Sequence, residues 1–186
     1  IILEGIILNK KDLLKNSSLS FQDFVLKLYS EKGWKFLQEL EGEFRGCIWD
    51  KNTRKVLIFT NPTSTQRVFY AKINNQVFAD SDLVRLSKTI KDKSISINPD
   101  MISIYQLLAI GNLLENRTPI EGVYKVKDAH FVEINCENSS LTEKEYFNVS
   151  GIEYYNKKKK NAVDDIHEIF TEAVKWEYDN DLELGT

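Results

Sequence analysis

Histidine and cysteine are scarce in this sequence, with two of each among 186 residues. His130 falls in a strand between Ala129 and Phe131 and reads as structural, at an edge. His167 falls between Ile166 and Glu168 on a helix and reads as a surface residue. No Ser/Cys–His–Asp arrangement can be argued from two such isolated histidines, so no catalytic residue is assigned. Cys47 and Cys136 stand singly in apolar segments without CxxC or Cys/His spacing, which argues against a metal site. Glycine-rich phosphate loops are missing as well, because Gly42–Glu43–Phe44–Arg45–Gly46 runs into a strand rather than a helix. An excess of positive charge is also lacking. The net charge of −3 and pI near 5.6 argue against a nucleic-acid partner, since phosphate binding needs surplus Lys and Arg. The one basic run, Lys157–Lys160, reads as a solvated linker. No apolar run approaches ~18 residues and no stretch reads as a secretory leader, so a cytoplasmic protein without a membrane partner is expected.

What is present is ordinary globular material. A composition 42% hydrophobic and 28% charged can bury one sizeable core and a second small one. "IILEGIIL" at 1–8 reads as a strand with a glycine interruption. Ser20 precedes Asp23 by three, a variant capping box, and Phe21, Phe24, Leu28, Phe36, Leu37 and Leu40 follow at helical spacing. Gly33 divides 21–40 into a helix pair, and Gly42 lets the chain turn sharply out of it. Two hairpins come next, one joined by "DKNTRK" and one with Asn74–Asn75 at its turn, where Asn tolerates positive φ. Their four strands are expected to lie adjacent and antiparallel. The aromatic set Phe44, Trp49, Phe59, Phe69, Tyr70 and Phe78 is assigned to core packing.

Residues 98–114 start a helix after Pro99, with Ile102, Tyr105, Leu108 and Ala109 on one stripe. "EGVYKV" and "AHFVEIN" read as short strands, and "EKEYFNV" as extended. A polar linker at 150–161 leads to a last amphipathic helix, with Ile166, Ile169, Phe170, Ala173 and Val174 as its apolar face. Asp164–Asp165 are expected in its first turn, favouring the positive end of the dipole. Helices set between antiparallel strand blocks make the fold class α+β. The chain begins in a strand and stops just after a helix, so both ends are expected to be cut.

The order of motifs resembles the asparagine synthetase family, the class II glutamine amidotransferases. Leu40–Glu41–Gly42–Glu43–Phe44 looks like the family's Leu-x-Gly-x-Phe segment, and "CIWD" to Asp50 like its strand ending in Asp. Val68–Phe69–Tyr70, Phe78–Ala79 and, after a one-residue shift, Ser81–Asp82 stand where Pro-Leu-Tyr-Tyr and Phe-Ala-Ser-Glu belong. Thr118, Pro119, Gly122 and His130 match Thr-Pro-Phe-x-Gly-Ile-x-x-Leu-Pro-Pro-Gly-His. The resemblance implies an N-terminal-nucleophile fold, a four-layer αββα sandwich of two antiparallel sheets between helices. It implies an amidotransferase-like domain at 1–149, a linker at 150–161, and at 162–186 the first helix of a synthetase-like ATP-binding domain. In the family a Cys at the mature N-terminus attacks the glutamine amide, its own α-amine acting as base. The freed ammonia passes to an ATP-dependent domain. No cofactor is expected in these residues; ATP and magnesium are expected with that domain.

The departures fall on the glutamine site. The family's Asn-Gly-Glu-Ile-Tyr-Asn aligns with Glu4–Gly5–Ile6–Ile7–Leu8–Asn9. Gly5 and Asn9 are kept, but the Asn that helps form the oxyanion hole is Glu4, whose charge would repel the developing anion. The Asp that holds the substrate α-amine aligns with Phe21. In the loop 60–67, Arg-Asp becomes Thr60–Asn61, Gly becomes Ser64 and Pro becomes Arg67, and later Pro-Gly becomes Asp128–Ala129. Three readings follow. The first is a degenerate glutaminase domain supporting an ATP-dependent ligase acting on a small carboxylate. The second is a working glutamine-hydrolysing asparagine synthetase whose Cys lies upstream. The third is a non-catalytic scaffold holding a homodimer. Glu4, Gly5 and Phe21 are the remnant glutamine-site residues, and loop 60–67 is inherited scaffolding.

Overall fold

A computed structural model of the chain describes residues 1–15, 17–148 and 159–178. The chain divides into two compact units, one of residues 1–6 and 43–147, the other of residues 7–42 and 148–186. The element order is β1 (Ile2–Ile7), α1 (Lys10–Leu14), α2 (Phe21–Lys32), a 3₁₀ segment (Gly33–Glu39), β2 (Gly42–Asp50), β3 (Lys55–Thr60), β4 (Phe69–Ile73), β5 (Gln76–Asp80), α3 (Leu83–Asp92), α4 (Met101–Ile110), β6 (Val123–Lys125), β7 (His130–Asn135), β8 (Leu141–Glu145) and α5 (Lys159–Tyr178).

The first unit is built on two antiparallel sheets, ordered β1-β2-β3-β7-β8 and β5-β4-β6. Period-2 alternation decides which side chains meet between them. Ile58 and its register partner Val132, with Ile134, come from the larger sheet and pack with Val68, Tyr70 and Val126. Tyr70's neighbour Ala71 points the other way. It joins Val123 in a second core closed by Leu86 and Ile90 of α3. The expected α+β fold with two antiparallel sheets and helices is therefore the observed one. In the second unit Ser20 caps α2, its Oγ accepting from Asp23 N at 3.2 Å and donating to the Asp23 carboxylate at 2.6 Å. Gly33, at φ +58°, stops α2, and the chain continues as 3₁₀ rather than as a second α-helix. Val25, Phe36 and Leu37 are fully buried, and Tyr29 meets Phe36 edge-on.

Several expectations change. Both hairpins form, but β3 and β4 are not neighbours: loop 61–68 carries the chain from one sheet into the other. Short links bring strands close without dictating that they pair. Helix α3 was not expected at all, although Asp82 caps it by accepting from Arg85 N at 2.8 Å. Trp49 is exposed rather than core. His130 begins β7, an interior strand between β3 and β8, rather than lying on an edge. The α4 stripe Ile102, Tyr105 and Leu108 faces solvent, Leu108 at 80% exposure. Asp164 and Asp165 lie in the second turn of α5, which starts at Lys159, and no acid occupies the first turn. His167 is exposed, as expected, and so are Ile166, Ile169, Phe170 and Val174. Most of the expected linker, together with residues 179–186, lies outside the described residues.

Candidate functional site

The expected site residues distribute between the two units. Glu4 and Gly5 are consecutive on β1, in the first; Phe21 opens α2, in the second, where the Lys10 ammonium sits 5.4 Å from its ring centre. Gly5 is held at φ +110° against β2. A Cβ there would lie 2.0 Å from the Glu43 carbonyl oxygen, so only glycine fits. Asn9, the other kept residue, clamps its own unit. Its Nδ2 donates to Glu39 O at 2.8 Å and its Oδ1 accepts from Glu41 N at 3.1 Å. Both positions therefore hold the backbone and would be kept whether or not glutamine binds.

Glu4 lines a cavity of about 290 Å³ between the sheets of the first unit. Its floor is apolar, made by Ile2, Cys47, Ile58, Val68 and Ala79. Its polar side carries Glu4 and Arg45 together with Asp80, Ser81 and Arg85. Arg45 projects from β2 beside β1, and its Nε donates to Glu4 Oε2 at 2.8 Å; its Nη1 reaches the Arg67 carbonyl at 3.4 Å. Arg85 forks onto Asp80, Nε donating to Oδ2 at 2.7 Å, and also donates to Ser81 Oγ at 3.2 Å. The Asp82 backbone N–H donates to the same carboxylate at 2.8 Å. These hydrogen bonds, Arg85's first, hold the Asp80 carboxyl below its ordinary value. The Cys47 thiol also lines the cavity, and burial pushes its pKa up. That is the opposite of what an attacking thiolate needs.

Loop 61–68 lies along another groove, of about 700 Å³, lined by Thr63, Ser64, Arg67, Lys127, Asp128 and His130 among others. Asn61 and Ser64 are the loop's buried polar residues. Buried Asn61 accepts at Oδ1 from Thr65 Oγ1 (3.2 Å) and Gln66 N (3.4 Å), and its Nδ2 donates to Thr63 Oγ1 at 2.9 Å. Tyr146 OH donates to Thr60 O at 2.7 Å, and burial raises that phenol's pKa. Ser64 (φ +50°) and Ala129 (φ +59°) both adopt the left-handed conformation that favours glycine. His130 Nδ1 lies 2.7 Å from Asp128 O. Among the described residues no cluster of three or more His, Cys, Asp or Glu could hold a metal ion, and no helix is long and apolar enough to cross a membrane.

Sequence reasoning placed Glu4 at the site but missed Arg45, Asp80 and Arg85. Their convergence depends on β1 lying beside β2 and on α3 following β5, which no local pattern announces.

Two stacked antiparallel sheets, with helix α3 on the smaller one, define an α+β sandwich of the N-terminal-nucleophile type. Within that class the chain belongs to the family of glutamine amidotransferase domains, whose model matches residues 1–147. Over its whole length it is 22% identical to the glutamine-hydrolyzing asparagine synthetase 2 of Bacillus subtilis, covering 26% of that protein. It is 23% identical to the microcin J25-processing protein McjC of Escherichia coli, across 87% of the chain and 30% of McjC. The amidase chry2 of Gibberella zeae is 22% identical over 59% of the chain and 15% of its own length. The chain thus spans under a third of the length of these relatives.

Proposed function

We propose that this chain is the amidotransferase-like part of an asparagine-synthetase-like protein, that its glutamine site is degenerate, and that it supports an ATP-dependent amide-forming domain. The observation that carries the reading is the Glu4–Arg45 ion pair on the cavity wall. Glutamine hydrolysis develops negative charge on the amide oxygen, which a neutral donor stabilises and a carboxylate opposes. Arg45 neutralises Glu4 and so makes the acid tolerable in the fold, but Glu4 has no N–H to give. Phe21 offers a ring where the family has an acid for the substrate's α-amine, and that ring already faces a cation, Lys10. Burial raises the Cys47 thiol, which makes it a poor substitute for the family's nucleophile.

The supported domain would bring ATP, magnesium and a small carboxylate substrate, since this chain has no glycine-rich phosphate loop. The exposed apolar face of α5 is the kind of surface such a domain would cover. A homodimer is compatible with the same reading. Incubating the protein with glutamine and measuring glutamate tests the proposal. No release above the uncatalysed rate is expected, and protein-dependent release would overturn it. Protein-dependent release in that assay is the signature of the second reading, a working glutaminase.

A further inference from the structure

The two ion pairs that line the cavity are unequal. Asp80 is fixed three ways, by the fork of Arg85 and by the Asp82 N–H, and its side chain is 17% exposed. Glu4 is held by one hydrogen bond, at Oε2, and its side chain is 54% exposed. Its other oxygen has no protein hydrogen bond among the described residues. Arg45 is the better buried partner, at 26%. Glu4 is thus the more exposed and less fixed member of its pair, and Arg45 the one that depends on having an anion beside it. A partly buried guanidinium that loses its counter-ion is strongly disfavoured until another anion arrives. Glu4 also acts on Arg85, adding to the larger effect of Asp80 in holding that guanidinium's proton. With both acids in place the charged lining sums to zero, and beneath it lies an apolar floor of Ile2, Ile58, Val68 and Ala79.

We infer that Glu4 is the specificity-determining group of this cavity: as a tethered carboxylate it occupies Arg45 and bars small aliphatic carboxylates from a site otherwise fitted to them. A carboxylate would take the Arg45 fork through charge-assisted hydrogen bonds, and its hydrocarbon chain would lie on the floor. The apolar floor selects a carboxylic acid over phosphate or sulfate, which have no chain to place there. The inference rests on the reading that the glutamine site is closed, and supplies a physical reason for the closure. It is a statement about binding, so it stands or falls separately from hydrolysis.

The experiment compares the wild-type chain with Glu4→Gln, Glu4→Ala and the double variant Glu4→Gln/Arg45→Gln. Butyrate is the probe for a plain carboxylate and L-glutamine the probe for an amino acid. Binding is followed by NMR shifts of the arginine Nε–H signals, and near-UV circular dichroism confirms folding. Glu4→Gln should bind butyrate saturably and roughly tenfold or more tighter than wild type, the gain expected when a partly buried cation is left without its partner. Glu4→Ala should do the same, which keeps the test valid if one variant misfolds. The double variant should lose the gain. L-Glutamine binding to Glu4→Gln with the same Arg45 dependence would extend the site to amino acids and also support the inference. Three outcomes overturn it: wild type binds butyrate as tightly as Glu4→Gln, neither single variant binds, or binding survives loss of Arg45. Glutamate release by wild type would instead overturn only the reading of a closed glutamine site.

Discussion

At Gly5 the backbone holds φ +110°, and a Cβ would meet the Glu43 carbonyl oxygen at 2.0 Å, far inside contact distance. The clash is with backbone, which cannot step aside without parting β1 from β2. Gly5→Ala is therefore expected to cost ~4 kcal/mol or more, readable as a shifted urea midpoint, and a shift under a quarter of that would contradict the geometry. Ala129 is the opposite case, a side chain where glycine belongs. Its φ of +59° costs about 1 kcal/mol for an L-residue, partly offset by the entropy a glycine gains in the unfolded chain. Ala129→Gly should raise the melting temperature slightly. Ser64→Gly should come out near neutral, because it also gives up the long 3.5 Å hydroxyl contact to Val126 O. Ser64 and Ala129 stand where the sequence comparison placed family glycines. The left-handed backbone at both is the conformation a glycine would adopt without strain.

Among elements, α4 departs most from what its sequence suggests, and α3 carries the burial instead. "MISIYQLLAI" carries the apolar spacing of a buried face, yet Ser103 is its one buried residue and Leu108 points to water. "LVRLSKTIKD" looks mostly polar, yet Leu86 and Ile90 close a core against Ala71 and Val123. Periodicity reports that a helix has an apolar stripe; only the partner surface decides whether the stripe is covered. Replacing Leu86 by Ala should cost about 2–4 kcal/mol through the cavity it leaves, whereas Leu108→Gln should change stability by less than about 0.5 kcal/mol. Equal losses in thermal denaturation would mean that α4 is covered in solution. The hairpins were legible because alternation and turn residues are local signals, with Asn74 and Asn75 at φ +50° and +61° supplying the turn. The pairing of β3 with β7 was not, because the partner strand is remote in sequence. The same holds at the cavity: Glu4 could be found by its place in a motif, but Arg45 became its partner only through sheet geometry.

For the whole molecule, acid is the informative perturbation. Asp80 is held below its ordinary value of 3.8, first by the Arg85 hydrogen bonds, and Asp100 is lowered by its Ser103 cap and by Arg117. A carboxyl lowered in the folded state stabilises fully above its unfolded value, and that contribution is lost as pH falls through the folded value. Stability should therefore be level in these two terms above about pH 4 and fall below it. In Asp80→Asn the acid limb should be shallower than in wild type. An unchanged limb, measured as melting temperature against pH, would show that the Asp80–Arg85 fork is not formed in solution.

The crossing made by loop 61–68 also governs the order in which the protein assembles. Lys55 of β3 bonds to Glu133 of β7 at 3.1 Å across 78 residues, and between them lie β4, β5, α3, α4 and β6. The β2–β3 and β4–β5 hairpins need only close turns and can form within microseconds. The seam between β3 and β7 has to close a loop that contains the smaller sheet and its helix, which costs chain entropy. Chain entropy makes such distant pairing slow, so the larger sheet closes late. Until it does, Leu57, Ile58 and Phe59 lie on an open strand edge. That places the chain's greatest exposure to misassociation in the interval before β7 arrives.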